Sequence, residues 1–322
     1  MAFRLDPAAL ARQRRLNRLH SALLLLSLSG LAGWTGLLVG GPEGLAFGAG
    51  LVLAFLLLSP MPGDALFRHA FGAVRLSPTQ APDLLALLAA LARRAGLPRP
   101  PALYLIPSPM LQAMAAGSRE APVIAVTLGL LRSLPPRELA AVLAHEVAHI
   151  RHGDLRVLRL ATAAATLTRA MAGIGALLLL VLLPALWASG MAPSPLALLL
   201  LMAAPILSDL LTLSLSRRRE FLADAGAVEL TGDVEALAEA LARLWRLQGD
   251  DWERLASRAP RWLRWFRTHP TVRDRIAALR GMATPVRAPW PEADLIAITP
   301  GALPWSLGGH HPAQRLARRW LL

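Results

Sequence analysis

Long apolar runs alternate with arginine-bearing segments along the chain. Four runs carry no charged residue apart from Asp209 in the last: Ser21–Gly40, Gly44–Pro60, Ala170–Ala188 and Pro195–Leu213. A helix of about 20 mostly apolar residues spans the hydrocarbon layer of a bilayer. Because only a short link joins the two runs of each pair, the pattern predicts two helical hairpins with four transmembrane helices. A signal peptide for the first run and buried core helices for all four are weaker alternatives.

The arginines near these runs lie on one side of each predicted hairpin. All 34 basic residues are arginines, and neither hairpin tip carries one. Those that flank the runs are Arg12, Arg14, Arg15, Arg18, Arg68, Arg75, Arg151, Arg156, Arg159, Arg217, Arg218 and Arg219. Because positive residues close to membrane helices are retained in the cytoplasm, we expect both termini and the segment between the hairpins to be cytoplasmic.

Composition agrees with a membrane protein that has a soluble part. Hydrophobic residues make up 55% of the chain, charged residues 17%, and the mean hydropathy is +0.46, which excludes a disordered chain. A net charge of +13 would suit nucleic acid, but aromatic residues are only 5% and arginines adjoin apolar runs. We therefore expect a lipid bilayer as partner and no nucleic acid. The absence of cysteine excludes disulfides and cysteine-ligated metals.

The segment between the hairpins predicts a small soluble domain. Pro82–Arg94 has the pattern of an amphipathic helix that ends at Gly96. Three apolar stretches follow as candidate strands of a small antiparallel sheet: Ala102–Ile106, Gln112–Ala116 and Val123–Thr127. Pro135 and Pro136 fit the first turn of a helix that continues through His149.

The remaining segments complete the predicted organisation. Three further helices are expected after the second hairpin: Arg217–Val228, Val234–Leu247 and Thr271–Arg280. The expected parts are a basic amphipathic segment at 1–20, hairpins at 21–60 and 170–213, a soluble domain split into 61–169 and 214–284, and a proline-rich tail at 285–322. The fold class is therefore α+β, a mainly helical integral membrane protein with a small cytoplasmic domain.

The sharpest chemical signal is the stretch His145-Glu146-Val147-Ala148-His149. Residues four apart share one face of a helix, so the two imidazoles converge while Glu146 projects beside them. This arrangement is typical of a zinc hydrolase, whose metal takes three protein ligands and lowers the pKa of a bound water. Glu146 would take a proton from that water and pass it to the leaving amine. The competing interpretation is a pair of helical histidines satisfied by neighbouring side chains.

A third metal ligand is required, and Glu220 is the best candidate. Asp224 lies four residues later on the same helix face and would accept the outer ring N–H of a ligand histidine. A surface pair of carboxylates following an arginine run is the alternative. Glu220 is seven residues beyond Leu213, which places the metal about 10 Å past the end of the fourth run.

Asp209 interrupts the fourth apolar run. A carboxylate within a membrane is costly and is a functional candidate by default. Because Asp209 is near the cytoplasmic end of the run, we favour a structural ion pair with an arginine such as Arg169 or Arg217.

The order of two spans, HEVAH, two more spans and RREFLAD resembles the HtpX-type membrane zinc peptidases, relatives of the CaaX prenyl proteases. Further similar stretches are Pro107-Ser108-Pro109, the run Val126-Thr127-Leu128-Gly129-Leu130-Leu131, Asp154, and His269-Pro270 followed by Arg275-Ile276. That family typically has Asn-Ala-Phe-Ala where this chain has Gln112-Ala113-Met114-Ala115. This departure leaves the metal site intact and concerns the substrate groove.

The resemblance implies a zincin-like domain with one Zn²⁺ per chain. It implies that His269 and Arg275 hold or stabilise the oxyanion from outside the metal's coordination sphere. It also implies an exposed strand onto which a substrate chain adds, with little selectivity for side chains. The residues of the two candidate strands are Gln112, Ala113, Met114 and Ala115, or Val123, Ile124, Ala125 and Val126.

The function implied is a zinc endopeptidase of the prokaryotic cytoplasmic membrane that removes misfolded or damaged membrane proteins under stress. The implied partners are membrane-protein or unfolded polypeptide substrates and other membrane quality-control proteases. Two alternatives stay open, a CaaX-type prenyl-protein peptidase and a membrane-anchored zinc-binding scaffold without turnover. Four spans, rather than a larger intramembrane chamber, argue against the first.

Overall fold

The computed structural model describes residues 2–5, 7–58, 64–190, 195–248 and 270–286. Its helices are α1 (Pro7–Leu58), α2 (Asp64–Phe71), α3 (Pro82–Ala95), α4 (Leu128–Ser133), α5 (Pro136–His152), α6 (Asp154–Ala188), α7 (Pro195–Thr231), α8 (Val234–Gln248) and α9 (Val272–Met282). Its strands are β1 (Ala2–Leu5), β2 (Val74–Arg75), β3 (Ala102–Ile106), β4 (Ala113–Gly117), β5 (Pro122–Thr127) and β6 (Ala283–Val286).

Two of the described helices, α6 and α7, are long and apolar enough to cross a membrane. Only 22% of the most apolar window of each helix is buried within the protein, whereas the core helix of a soluble protein would be mostly buried. Large side chains such as Leu180 and Leu199 are more than 60% exposed. This surface suits contact with lipid.

The helical segment α1 folds back on itself near Gly41, which has a positive φ of 60°. A Cβ added at Gly36 would lie 2.3 Å from the carbonyl oxygen of Gly44, and one added at Gly48 would lie 3.4 Å from that of Ala32. In a straight helix, eight residues would separate such positions by about 12 Å. The first two apolar runs are therefore antiparallel and pack glycine against glycine, and Ser21–Leu37 forms a shorter apolar helix.

The sheet has four strands in the order β2-β3-β5-β4 and is mixed. The expectation of an antiparallel sheet is wrong for one pair, because β3 and β5 are parallel, with Ala102 opposite Val123 and Ile106 opposite Thr127. The chain leaves β3, forms β4 at the outside edge, and returns through the turn after Gly117 to place β5 between β3 and β4. This insertion gives β5 the same direction as β3.

The main hydrophobic core lies between the sheet and the helices α3, α5 and α8. As predicted, Gly96 ends α3 in the left-handed conformation and the prolines at 135 and 136 mark the start of α5; Gly153 ends α5 in the same left-handed conformation. All thirteen residues from Glu138 to Ile150 are buried. The helix that carries the histidine motif is thus the centre of the domain.

The segments after the fourth apolar run and at the N-terminus complete the fold. The helix expected from Arg217 continues the fourth apolar run, as the expected placement of the metal beyond that run requires, and α7 extends without interruption through Thr231. Within the expected basic amphipathic segment at 1–20, the helix α1 begins at Pro7, and Ala2–Leu5 forms a strand that pairs antiparallel with Ala283–Val286. Most of the proline-rich tail, from residue 287, lies outside the described residues.

Candidate metal centre

Three buried side chains converge between α5 and α7. They are His145 and His149 from α5 and Glu220 from α7, and one ligand atom from each lies within 4.8 Å of the others. Nε2 of His145 is 3.1 Å from Nε2 of His149, and the Glu220 carboxylate is 3.6 Å and 3.9 Å from these two nitrogens. The structure therefore brings together the three residues predicted as metal ligands.

The outer nitrogen of each histidine is held by a buried carboxylate. Nδ1 of His145 lies 2.9 Å from Asp224, and Nδ1 of His149 lies 2.8 Å from Asp154. An imidazole that donates its Nδ1–H to a carboxylate presents the lone pair of Nε2 on its other side. At 3.1 Å the two Nε2 atoms are within hydrogen-bond distance, so a proton on one of them bridges the pair when no metal is bound, and a metal cation would take the place of that proton. Two imidazoles and a carboxylate are a donor set suited to Zn²⁺.

Glu146 is buried on α5 beside the two histidines, with 9% of its surface exposed. Its side chain leaves the helix about 100° from that of His145, so it flanks the convergence point. A carboxylate at this place is suited to accept a proton from a water near the metal ligands.

Arg275 reaches the centre from α9. Its Nε and Nη2 donate to the two oxygens of Asp224 at 2.8 Å and 2.5 Å, and its Nη1 is 3.3 Å from Glu220. Burial lowers the pKa of Arg275, but the carboxylates of Asp224 and Glu220 raise it by more, so it stays charged. The other candidate for oxyanion stabilisation, His269, lies outside the described residues.

The carboxylates around His145 change its affinity for protons. Burial lowers the pKa of this imidazole, whereas hydrogen bonds to Asp224 and Glu220 raise it, and the net result is a pKa of about 10. A site that attracts one proton so strongly also favours a metal cation, because both stabilise the same concentration of negative charge.

Of the two candidate substrate strands, only one has an open edge. The strand β5 pairs with β3 on one side and β4 on the other, so Val123, Ile124, Ala125 and Val126 cannot accept a further strand and that alternative is wrong. The strand β4, with Ala113, Met114 and Ala115 half buried, lies at the edge of the described sheet and packs beside α5. Gln112 immediately precedes it, with its backbone N–H bonded to Thr127.

Sequence reasoning did not assign roles to Asp154 and Arg219. Asp154 begins α6, and its second oxygen accepts a 2.6 Å hydrogen bond from the guanidinium of Arg219. Asp154 lies five positions after His149 and directly follows Gly153, which ends α5. This position was the signal that could have identified Asp154 as a partner of His149. Arg219 belongs to a run of three arginines, which the charge pattern assigned to the membrane flank as a whole.

Between the apolar helices α6 and α7, Asp209 forms an ion pair with Arg169. This partner is one of the two that the sequence predicted. Thr166 Oγ1 accepts a further hydrogen bond from the same guanidinium. The pair neutralises a carboxylate that an apolar surface would otherwise expose.

Comparison with known proteins relates this site to one family. Residues 78–283 match the model of peptidase family M48. The chain is 39% identical over 287 residues to a Protease HtpX homolog of Acaryochloris marina, covering 82% of this chain and 94% of the relative. It is 36% identical over 290 residues to a Protease HtpX homolog of Acidiphilium cryptum, covering 83% and 97%. Together with the apolar helices and the His-His-Glu cluster, these matches show that the chain belongs to peptidase family M48 as an HtpX-type membrane metallopeptidase.

Proposed function

We propose that the protein is a zinc-dependent endopeptidase of the prokaryotic cytoplasmic membrane, anchored by four transmembrane helices, that cleaves misfolded or damaged membrane proteins at the cytoplasmic face. One observation carries the proposal. Two histidines, each oriented by a buried carboxylate, converge with Glu220 beside Glu146. A structural pair of histidines would not require this matched set of acceptors.

The chemistry follows from the side chains around the cluster. His145, His149 and Glu220 would hold the zinc ion, which when bound would supply a Lewis acid and acidify water. Glu146 accepts the proton of the attacking water and returns it to the leaving amine. Arg275, with His269, stabilises negative charge that develops on the scissile carbonyl oxygen.

The substrate backbone adds as a further strand to β4. This edge strand packs against α5, so a chain paired with it would run near the helix that carries Glu146. Pairing through the backbone explains how one site accepts many unfolded segments. Methylating the backbone nitrogens of a good peptide substrate should raise KM, whereas methylating side chains should have little effect.

Zinc content and casein cleavage of the detergent-purified full chain test the activity. We expect wild type to hold about one zinc and to cleave. Glu146→Gln should retain zinc without cleaving, and Glu220→Ala should lose zinc. Zinc binding without cleavage of casein or of an unfolded membrane protein would favour the scaffold alternative, and cleavage restricted to prenylated peptides would favour the CaaX-type peptidase.

The absence of cysteine allows the topology to be tested directly. Single cysteines are introduced by Glu43→Cys and Ser189→Cys in the two hairpin tips and by Glu120→Cys in the exposed turn between β4 and β5. A membrane-impermeant maleimide should label the two tip positions in intact spheroplasts and the third only after lysis. The reverse labelling pattern would refute the proposed orientation.

A further inference from the structure

The metal centre is connected to the first apolar helix through buried side chains. Asp154, which is fully buried, contacts His149 with one carboxylate oxygen and Arg219 with the other, at 2.8 Å and 2.6 Å. The second terminal nitrogen of Arg219 donates to Oγ of Ser21 at 2.9 Å. Ser21 lies in α1, 198 residues earlier in the chain. Three hydrogen bonds therefore lead from α1 to a metal ligand.

We infer that Arg219 and Ser21 are positioning residues, through which the packing of α1 sets the orientation of His149 and hence the metal affinity. The inference rests on the proposed function of the cluster as a zinc site. A carboxylate is planar, so fixing one oxygen of Asp154 against Arg219 fixes the other against the imidazole. Partners of metal-bound histidines restrict the ring to the orientation in which it binds the metal.

Burial makes this connection specific. Arg219 is 7% exposed and Ser21 is 4% exposed, although both adjoin long apolar runs whose side chains are largely exposed. The Nε of Arg219 is buried without a hydrogen-bond partner among the described residues, so its two terminal nitrogens make the contacts. A single ammonium in this place could not satisfy both Asp154 and Ser21 as the forked guanidinium does.

The same part of α1 packs against both long helices. Leu24, one turn after Ser21, contacts a small buried cluster that contains Ala161 and Ala164 of α6 and Leu215 of α7. Leu215 is one turn before Arg219 on α7. Separating α1 from this cluster would thus withdraw Ser21 and leave Arg219 held by Asp154 alone.

The test measures Co²⁺ and Zn²⁺ affinity of the full chain by chelator competition, together with the visible absorption spectrum of bound Co²⁺. Arg219→Gln should weaken metal binding by at least about tenfold. Tenfold is the lower end of the range expected when a hydrogen-bond partner of a ligand histidine is removed. Ser21→Ala and Arg219→Lys should produce smaller losses and a shifted Co²⁺ spectrum. The exposed neighbours supply matched controls, Arg218→Gln and Ser27→Ala, which should match wild type.

A purely structural role would lower thermal stability without changing the Co²⁺ spectrum of the folded variants. Ser21→Ala and Arg219→Lys decide the question if Arg219→Gln does not fold. Wild-type affinity and spectrum in both would overturn the inference while leaving the zinc peptidase proposal intact. A wild-type chain that binds no metal would refute both.

Discussion

Gly226 on α7 lies directly against the histidine-bearing helix α5. A Cβ added there would lie 2.7 Å from Cβ of Ala148, the residue before His149, and 2.9 Å from a ring carbon of His152. Since carbon atoms in contact are about 3.5–4.0 Å apart, Gly226→Ala requires the helices to separate by about 1 Å.

The expected stability change combines two opposing terms. Overpacking costs about 1–3 kcal/mol, whereas alanine is favoured over glycine within a helix by about 1 kcal/mol. Gly226→Ala should therefore destabilise the protein by as much as about 2 kcal/mol. Gly173→Ala is the matched control, because nothing lies within 4 Å of the added Cβ. It should stabilise the protein or leave its stability unchanged.

The activity should change more than the stability. Glu220 on α7 lies six residues before Gly226, and the histidines lie on α5, so separating the helices moves one ligand away from the other two. A displacement of 1 Å at a catalytic site can cost about 100-fold in rate. The assay is kcat/KM for casein cleavage at saturating zinc, with the midpoint of thermal unfolding measured on the same samples. Wild-type kcat/KM in Gly226→Ala, with a midpoint raised as in Gly173→Ala, would refute this reasoning.

Four further predictions follow from other contacts. The pKa of His145 is raised to about 10, so zinc must displace its proton in order to bind. Zinc affinity, measured by competition with a chelator, should therefore rise by about tenfold per pH unit from neutral pH toward pH 10. An affinity that does not change with pH would contradict this prediction. Without metal, protonation of His145 stabilises the folded state. This contribution to the free energy of unfolding is fully present below about pH 6.5, the ordinary pKa of histidine, and is lost as pH rises through about 10. The midpoint of thermal unfolding should therefore fall across that pH range. Gly44→Ala should disrupt the first hairpin, because the added Cβ would lie 2.1 Å from a carbonyl oxygen. The Cβ of Gly30→Ala meets nothing within 4 Å, so this variant is the control. In limited proteolysis, Gly44→Ala should be cleaved faster than Gly30→Ala. Thr127→Val should lower the free energy of unfolding by about 1–2 kcal/mol, measured by chemical denaturation, because the hydroxyl caps α4 and bonds the loop that enters β4. Thr79→Val, in an exposed turn, should change it little.

Local rules account for the parts of the structure that were predicted correctly. The i, i+4 spacing of His145 and His149 determines a shared helix face before any tertiary contact forms. Prolines at the first turn define the starts of α3 and α5, and Gly96 defines the end of α3, because their backbone constraints are properties of single residues. Glu220 was identified for a chemical reason, since two histidines leave a zinc site one ligand short.

Tertiary packing decided the features that local patterns could not contain. An apolar strand has two edges that can pair, and its sequence does not specify which neighbour takes each edge, so the parallel pairing of β3 with β5 was missed. The partners of Arg219 lie 65 and 198 residues away, and no periodicity relates them. The sequence by itself therefore determined the candidate metal ligands and the helix ends that proline or glycine marks, which depend on spacing and backbone conformation. The sheet order and the buried connection from Ser21 to His149 were decided only by the tertiary structure, because they depend on which distant surfaces exclude water together.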